Sequence, residues 1–274
     1  MPNDDHFLDV ARSVTGRRWR PRLHDSRTAL AISERLDLPE ILGRVLAGRD
    51  VGIDQAEAFL NPTLRDLMPS PDAFRDMVPG AGRIAEATMA GEIIGIIGDY
   101  DVDGMTSTAL MASFLRAAGT IPEIHIPHRI DEGYGPNRQA VADLQAKGVA
   151  VLITLDCGVM AHDPLGHAAE LGMETVIVDH HQVSEVLPQA TAIINPNRHD
   201  DLSGTGYMCA AGVTMILVAT INRHLRDAGW WTDGRPEPDI LQWLDLVALG
   251  TVCDVVPLTG LNRAYVNQGL KVMA

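Results

Sequence analysis

The sequence contains few of the features that stabilise secreted or membrane-embedded proteins. Only three of its 274 residues are cysteines, and they are scattered. Neither a disulfide framework nor a zinc site of paired cysteines is therefore expected. No apolar run is long enough to span a membrane, and the chain does not begin with a basic segment followed by an apolar one. These absences predict a soluble cytoplasmic protein that has no membrane partner.

Aromatic residues and lysines are also scarce. Aromatic residues make up 4% of the chain against 46% for all hydrophobic residues, which predicts an aliphatic core. Lys147 and Lys271 are the only lysines, so twenty of the 22 basic residues are arginines, and the net charge is −14. This charge argues against extended electrostatic binding to duplex nucleic acid. Local contact with a short stretch of phosphate backbone stays open.

Apolar runs and helical patterns alternate along most of the chain. We predict a polar tail at 1–20, an N-terminal helical segment at 21–75 and a main domain at 76–274. The expected fold is α/β: a doubly wound, mainly parallel five-stranded sheet flanked by helices, followed by a helical C-terminal part. The predicted strands are Ile93–Ile97, Ile121–Ile126, Val149–Leu155, Thr175–Val178 and Ala190–Ile194. The predicted helices are Met105–Ala118, Gln139–Lys147, Pro164–Leu171, Tyr207–Asp227, Asp239–Leu249 and Arg263–Met273.

Acidic and histidine residues are concentrated in four short blocks, and each block stands where a strand is expected to end. The blocks are Asp99–Gly104, Asp156, Asp179–His181 and Asp254. Carboxyl ends of parallel strands meet at one edge of a sheet, so these side chains are expected to converge. Clustered carboxylates repel one another unless cations offset their charge. Because carboxylate and imidazole ligands suit Mn²⁺ or Mg²⁺, the pattern predicts a two-metal hydrolase of phosphate esters.

The first block precedes a predicted helix. Asp101 and Asp103 are two residues apart, so on an extended turn they can project in the same direction. Gly104 allows close approach of the backbone to a metal or phosphate. A helix that starts at Met105 would present free N–H groups there, with Thr106 and Ser107 as further donors to substrate. The alternative interpretation is an Asx-rich turn with a helix cap.

The other blocks have similar alternatives. Asp156 alone is a weak signal, since acidic residues often follow strands. His180 and His181 point apart on an extended segment, so one can bind a metal while the other faces substrate or a carboxylate; a solvated histidine pair is the alternative. Asp254 lies within the apolar run 249–258, where an unpaired carboxylate is costly.

The loop 128–137 follows a predicted strand and combines a cation with glycines around an aromatic residue. Arg129 and Tyr134 are its candidate substrate-binding residues, in a loop that can hold a phosphate. A plain turn is the alternative.

These motifs resemble the DHH phosphoesterase superfamily, whose name matches Asp179–His181 here. The resemblance is closest to its RecJ branch, through Gly98–Gly104, Glu132–Gly135, Leu249–Leu258 and the early Trp19–Arg22 and Phe59–Pro62. It implies a single-strand-specific 5′→3′ DNA exonuclease of recombination and repair that uses two divalent cations, Mn²⁺ or Mg²⁺. Single-stranded DNA is the implied partner, with single-strand-binding protein and a repair helicase as further partners.

The resemblance also implies roles for individual residues. His181 would act in catalysis and face substrate, and Arg129 would contact phosphate. Asp156 is expected, from the central position of its strand among the four blocks, to bridge the two cations. The implied metal ligands are Asp101, Asp103, Asp156, His180 and Asp254, with Asp99 as a weaker candidate.

Members of this branch continue into a second domain, usually with a Gly-Gly-His motif, and into an OB-type fold. We therefore expect this chain to correspond to the N-terminal catalytic portion, with a complete metal site and a half-open substrate cleft. Activity of this portion alone is not implied.

Three rival functions remain open. The first is a DHH-family phosphodiesterase acting on small nucleotides or nano-RNA. The second is an aspartyl-phosphate phosphatase, whose nucleophile motif resembles 101–104, although Met105 stands where that motif needs threonine. The third is a binding module that has kept the fold without the chemistry.

Overall fold

The computed structural model describes residues 6–23 and 26–274. The described residues form two compact units, one ending at Thr63 and one covering Leu64–Ala274. The domain boundaries expected from the sequence stay a prediction, and positions 1–5 and 24–25 of the expected N-terminal segments lie outside the described residues.

The N-terminal unit is helical in its described part. A 3₁₀ turn at Phe7–Asp9 precedes helices α1 (Ser26–Leu36), α2 (Glu40–Ala47) and α3 (Ala56–Leu60). Its small core contains Ile32, Leu46, Val51 and Ala56. Gly43 lets α2 approach α1 closely, because an added Cβ would lie 2.2 Å from the carbonyl oxygen of Ala29.

The second unit contains the sheet and most of the helices. Its first half runs through α4 (Leu64–Leu67), α5 (Met77–Ala90), β1 (Ile93–Gly98), α6 (Val102–Ala117), β2 (Glu123–His125) and α7 (Arg138–Ala146). It continues through β3 (Val149–Leu155), α8 (His162–Glu170), β4 (Glu174–Val178), β5 (Ala192–Ile194), α9 (Ala210–Asp227), α10 (Leu244–Cys253) and α11 (Gly260–Met273). Short 3₁₀ turns lie at Pro71–Ala73 and Ile240–Trp243.

All five strands pair in parallel, in the order β2-β1-β3-β4-β5. The chain moves from β1 outward to β2, and then returns across β1 to build β3, β4 and β5 on its other side. The order of the sheet therefore reverses between β1 and β3. In open α/β sheets, ligands bind in the crevice at the carboxyl ends of the strands at such a point.

Alternate side chains of the strands enter two separate cores. Ile94, Ile96 and Ile153 pack in the larger core with α5, α6 and α9, whereas Leu152 and Ile177 pack with α7 and α8 on the opposite face. This alternation follows from the two-residue period of a strand. Both faces are covered, as the continuous aliphatic runs predict. Within the described residues, no helix combines the length and apolarity needed to cross a membrane.

The predicted fold is confirmed, and most elements lie within a few residues of their expected positions. Strand β3 has the predicted bounds. The helix expected from Met105 instead begins at Val102, because the carboxylate of Asp101 caps it by accepting a hydrogen bond from the Gly104 N–H (2.9 Å). The expectation that Asp254 ends a strand is wrong: it follows helix α10.

A buried arginine connects the chain after β5 to the start of α5. The side chain of Arg198 is only 7% exposed. Its guanidinium donates to the Asp76 carboxylate (2.7 Å) and to the carbonyl of Ile193 (2.6 Å), and it also binds Asp200. Removing one partner of such a pair leaves the other charge poorly solvated.

We predict that Arg198→Met lowers the free energy of unfolding by about 2 to 3 kcal/mol, because Asp76 loses its main counter-charge. Urea denaturation followed by tryptophan fluorescence measures this change. The matched control is Arg226→Met, whose partner Glu237 and own side chain are more exposed, and its expected cost is below about 1 kcal/mol. Equal costs for the two variants would contradict the anchoring role of Arg198.

A pH dependence is expected at the same anchor. The hydrogen bond from Arg198 holds the pKa of the half-exposed Asp200 carboxyl below its ordinary value. A carboxylate with a lowered folded-state pKa stabilises the fold above its unfolded-state pKa, and this contribution is lost as pH falls through the folded-state pKa. The stability difference between wild type and Asp200→Asn is therefore expected to be full at pH 6 and to shrink below about pH 4. Urea midpoints across this range test it, and a constant difference would contradict it.

Candidate metal centre

The turn after β1 places three aspartates at the reversal point of the sheet. Asp99 is buried directly after the strand, and Asp101 is the N-cap residue of α6. Asp103 lies inside the first turn of the helix. The extended turn that was expected to make Asp101 and Asp103 project in the same direction is therefore absent at these two residues. Gly104 is required here, because an added Cβ would lie 2.6 Å from the Asp99 carbonyl oxygen.

Asp103 is buried and connects two helices. Its carboxylate accepts hydrogen bonds from the N–H groups of Ala210 (2.6 Å) and Ala211 (2.9 Å), at the start of α9. Burial raises the pKa of Asp103, while these hydrogen bonds and His180 act in the opposite direction. The carboxylate therefore occupies the positive end of the α9 dipole.

Asp156 follows the central strand β3 in a strained conformation. Its φ angle is +63°, in the left-handed region that side chains other than glycine rarely adopt. The hydroxyl of Tyr134 donates to the Asp156 carbonyl (2.9 Å), and the Asp156 N–H donates to the Val178 carbonyl (2.9 Å). Burial, together with the charges of Asp103 and Asp101, raises the pKa of Asp156 to about 11. Metal-free, this carboxyl group strongly favours its protonated form.

Asp179 organises the two histidines that follow it. Its carboxylate accepts hydrogen bonds from the His180 N–H (2.8 Å), the His181 N–H (3.1 Å), His181 Nδ1 (2.7 Å) and the Val159 N–H (3.2 Å). Burial opposes ionisation of Asp179, but the bonds from His181 and Val159 hold its pKa below the ordinary value. The same hydrogen bond raises the pKa of His181.

His180 points into the group of carboxylates. Its Nε2 atom lies 3.3 Å from Asp156 Oδ1, 3.7 Å from Asp254 Oδ2 and 3.8 Å from Asp103 Oδ2. Asp254 reaches this position from the end of α10, and the next residue, Val255, has a φ of +60°. Gly250 allows α10 to lie this close to α6, since an added Cβ would lie 2.8 Å from Asp103 Oδ1.

Two asparagines hold the backbone of the histidine pair. Asn195 Nδ2 donates to the His181 carbonyl (2.9 Å), and Asn197 Nδ2 donates to the His180 carbonyl (2.5 Å). The Asn197 N–H in turn donates to Asn195 Oδ1 (2.7 Å). Sequence reasoning missed these residues and the organising role of Asp179. The Asn-Pro-Asn string directly after β5 was the available signal.

The side chains form three overlapping groups whose potential ligand atoms lie within 4.8 Å of one another. Asp156 and His180 each belong to two groups. The groups are Asp99/Asp101/Asp156, Asp103/His180/Asp254 and Asp156/His180/His181.

The donor atoms fit divalent cations. Asp99 Oδ1, Asp156 Oδ1 and His180 Nε2 are buried and have no hydrogen-bond partner among the described residues. Such atoms are costly to bury unless an ion or another polar group satisfies them. Mixed carboxylate oxygens and imidazole nitrogens suit Mn²⁺ or Mg²⁺. The six predicted metal ligands thus converge, and their individual roles stay predictions.

The predicted substrate-binding residues differ in their placement. Tyr134 lies beside the site, with its hydroxyl 3.2 Å from His181 Nδ1. Arg129 is exposed, and its guanidinium lies 5.1 Å from the ring centroid of Tyr100. Thr106 and Ser107 are buried in α6, where the Thr106 hydroxyl donates to the Asp103 carbonyl (3.1 Å). This burial gives no support to substrate contact by these two residues.

The phosphatase alternative finds no support in the described residues. It needs a lysine at the site, but Lys147 pairs with Glu123 and Lys271 lies at the end of α11. A parallel α/β sheet with carboxylates and imidazoles converging at its switch point has instead the arrangement of a metal-dependent phosphoesterase.

Comparison with known proteins identifies the family. The model of the DHH family, N-terminal domain, matches residues 93–251, and the chain belongs to this family. A curated relative, the single-stranded-DNA-specific exonuclease RecJ of Dickeya dadantii, is 37% identical over 235 residues, covering 85% of this chain and 40% of the relative. The chain therefore spans about two fifths of that relative's length.

Solved structures agree with this assignment. A crystal structure of exonuclease RecJ bound to manganese matches with a TM-score of 0.63 and 34% identity, covering 72% of this chain and 48% of that one. RecJ of Thermus thermophilus in complex with Mn²⁺ matches with a TM-score of 0.71 and 27% identity, covering 91% of this chain and 34% of that one. Its complex with Mg²⁺ matches with a TM-score of 0.59 and 25% identity, covering 91% and 30%. The resemblance to the RecJ branch is confirmed.

We predict that Asp156→Ala weakens Mn²⁺ binding at least a hundredfold, since Asp156 belongs to two of the three groups of ligand atoms. Isothermal titration calorimetry on the metal-free protein measures this. The control is Asp163→Ala, which removes an exposed carboxylate paired with Arg138. Wild-type affinity in Asp156→Ala would contradict the assignment.

Asn197→Asp is expected to raise the Kd for Mn²⁺ about tenfold, because the variant keeps the side-chain size but cannot donate to the His180 carbonyl. Circular dichroism verifies that the fold is kept. Unchanged Mn²⁺ affinity would show that Asn197 does not position His180.

Proposed function

We propose that this chain is the metal-dependent catalytic portion of a RecJ-like, single-strand-specific 5′→3′ DNA exonuclease that acts in recombination and repair. The observation that carries the proposal is the convergence of Asp99, Asp101, Asp103, Asp156, His180 and Asp254 around buried donor atoms without partners. The names of the relatives support the substrate class, and they give no support to the small-nucleotide alternative.

The residues divide into two ligand sets in this proposal. Asp99 and Asp101 would hold one cation, while Asp103, His180 and Asp254 would hold the other, and Asp156 would contribute its carboxylate to both sets. When bound, two Mn²⁺ or Mg²⁺ ions supply a lowered pKa of water and stabilise the charge that develops on the phosphodiester. The strained backbone of Asp156, fixed by Tyr134, aims its carboxylate between the sets.

His181 and Arg129 serve the substrate. The Asp179 carboxylate holds Nδ1 of His181, which leaves Nε2 to face the phosphate. The raised pKa of His181 keeps this ring cationic to a higher pH than an ordinary histidine. Arg129 lies on the face of Tyr100, which restricts its guanidinium near the turn that carries Asp99 and Asp101. Both groups complement the negative charge of a phosphate.

The remaining proposals concern the whole protein. Location in the cytoplasm and interaction with single-strand-binding protein and a repair helicase belong to the RecJ-like role. Copurification of the protein with each partner tests these contacts. Absence of binding would remove the partner from the proposal.

The decisive experiment compares substrates in Mn²⁺. We expect the protein to release mononucleotides from the 5′ end of a labelled single-stranded oligonucleotide, with slower turnover of a duplex and of a dinucleotide. EDTA is expected to abolish the reaction, and Asp156→Ala to reduce it at least a thousandfold; Asp163→Ala is the control with wild-type activity.

Two other outcomes of this experiment would contradict the proposal. Faster turnover of the dinucleotide would favour the small-nucleotide phosphodiesterase. Mn²⁺ binding without hydrolysis of any phosphodiester would favour the binding module.

A further inference from the structure

A cavity of about 390 Å³ lies beside the metal centre, at the carboxyl ends of β3 and β4. The loop before α7 and the segment between β3 and α8 form most of its walls. Asp179 and His181 form the wall that it shares with the metal centre. The cavity is also lined by Tyr134, Pro136, Val159, Met160, Ala161 and Pro164.

The chemistry of the lining selects a flat, uncharged group. Apart from His181 and Asp179, the described side chains in the walls are apolar or aromatic, and they include no arginine or lysine. The Asp179 carboxylate is already engaged by His181, His180 and Val159. A phosphate would find no counter-charge here beyond His181. Small-molecule sites typically combine a mainly apolar pocket of this size with a few polar groups.

We infer that this cavity holds the nucleobase of the nucleotide whose phosphate reacts at the metal centre. The inference rests on the proposed phosphoesterase function. His181 belongs to both places: its Nδ1 lies 3.9 Å from Asp156 Oδ1, and its ring lines the cavity. A nucleoside attached to a phosphate at Asp156 therefore reaches the cavity within one nucleotide unit.

The aromatic wall suits stacking. Tyr134 and His181 meet edge to face, with ring centroids 5.8 Å apart, and Tyr134 is half exposed. The hydroxyl of Tyr134 donates to the Asp156 carbonyl, so the ring is fixed. Met160 is also half exposed and supplies a flexible apolar edge. Base–aromatic stacking tolerates any base.

Sequence tolerance follows from the same lining. The Tyr134 hydroxyl and the Asp179 carboxylate are occupied by protein partners. In the part of the chain that the structure describes, no asparagine, glutamine or free carboxylate lines the cavity to read the edge of a base. The subsite accepts all four bases and adds no affinity for a nucleotide that lacks its base.

The test compares two ligands that share sugar and phosphate and differ only in the base. Thymidine 5′-monophosphate and 2-deoxyribose 5-phosphate are titrated calorimetrically into the protein in Mn²⁺, up to millimolar concentrations. We expect the nucleotide to bind about tenfold more tightly. Ala161→Trp fills the cavity and is expected to abolish this preference without changing the affinity for the sugar phosphate.

A milder variant and a control complete the design. Met160→Ala is expected to reduce the preference about threefold. Met89→Ala removes another partly exposed methionine, near the end of α5 and away from the cavity, and is expected to keep the full preference. Circular dichroism verifies folding of each variant.

The inference is overturned if wild type binds both ligands equally, if it binds neither, or if Ala161→Trp and Met160→Ala both keep the full preference. Its failure differs from failure of the proposed function. A protein that hydrolyses single-stranded DNA without base preference in binding keeps the function and loses the subsite. One that shows the preference but hydrolyses no DNA keeps the subsite and loses the function.

Discussion

The electrostatic repulsion among buried carboxylates at one edge of the sheet is the constraint on which this molecule depends. Asp103, Asp156 and Asp254 all lie within 4 Å of a single imidazole nitrogen of His180. Burial raises the pKa of each of these carboxyl groups, so a metal-free centre retains protons that cations must displace. Hydrogen bonds from the start of α9, from Tyr134 and from the two asparagines after β5 hold the carboxylates and histidines of the centre in place. Divalent cations bound between the carboxylates would offset this repulsion.

The strands and the convergence of the site could be predicted from the sequence. Continuous aliphatic runs such as Val149–Leu155 are typical of a parallel sheet, and carboxyl ends of parallel strands share an edge. Two features could not be predicted in this way. The cap formed by Asp101 depends on a single hydrogen bond from a backbone N–H group. Because of this cap, α6 begins three residues before the predicted start at Met105. Asp254 lies in an apolar run that is compatible with strand or helix, and tertiary packing of α10 against α6 through Gly250 decides between them.

The supporting residues were harder to find than the ligands. Asn195 and Asn197 act through hydrogen bonds to backbone groups, and Asp179 acts through backbone groups and the His181 ring. Such contacts leave no periodic pattern in a sequence. Thr106 and Ser107 show the limit of a motif in another way, because hydroxyls near a helix start suggested substrate donors, whereas both side chains are buried in α6 and their contact with substrate stays a prediction. A motif indicates which elements meet, whereas the direction of a side chain depends on where the helix begins.

The contact between Asp103 and the start of α9 joins the metal centre to the larger hydrophobic core. Helix α9 has eighteen residues and supplies many side chains to that core, and its first N–H groups donate to the Asp103 carboxylate. Occupancy of the centre is thereby linked to global folding, since any ion that binds only the native form shifts the unfolding equilibrium. Chelators are therefore expected to lower the thermal stability of the protein as well as any metal-dependent activity. Its melting temperature would then depend on how much metal the solution supplies.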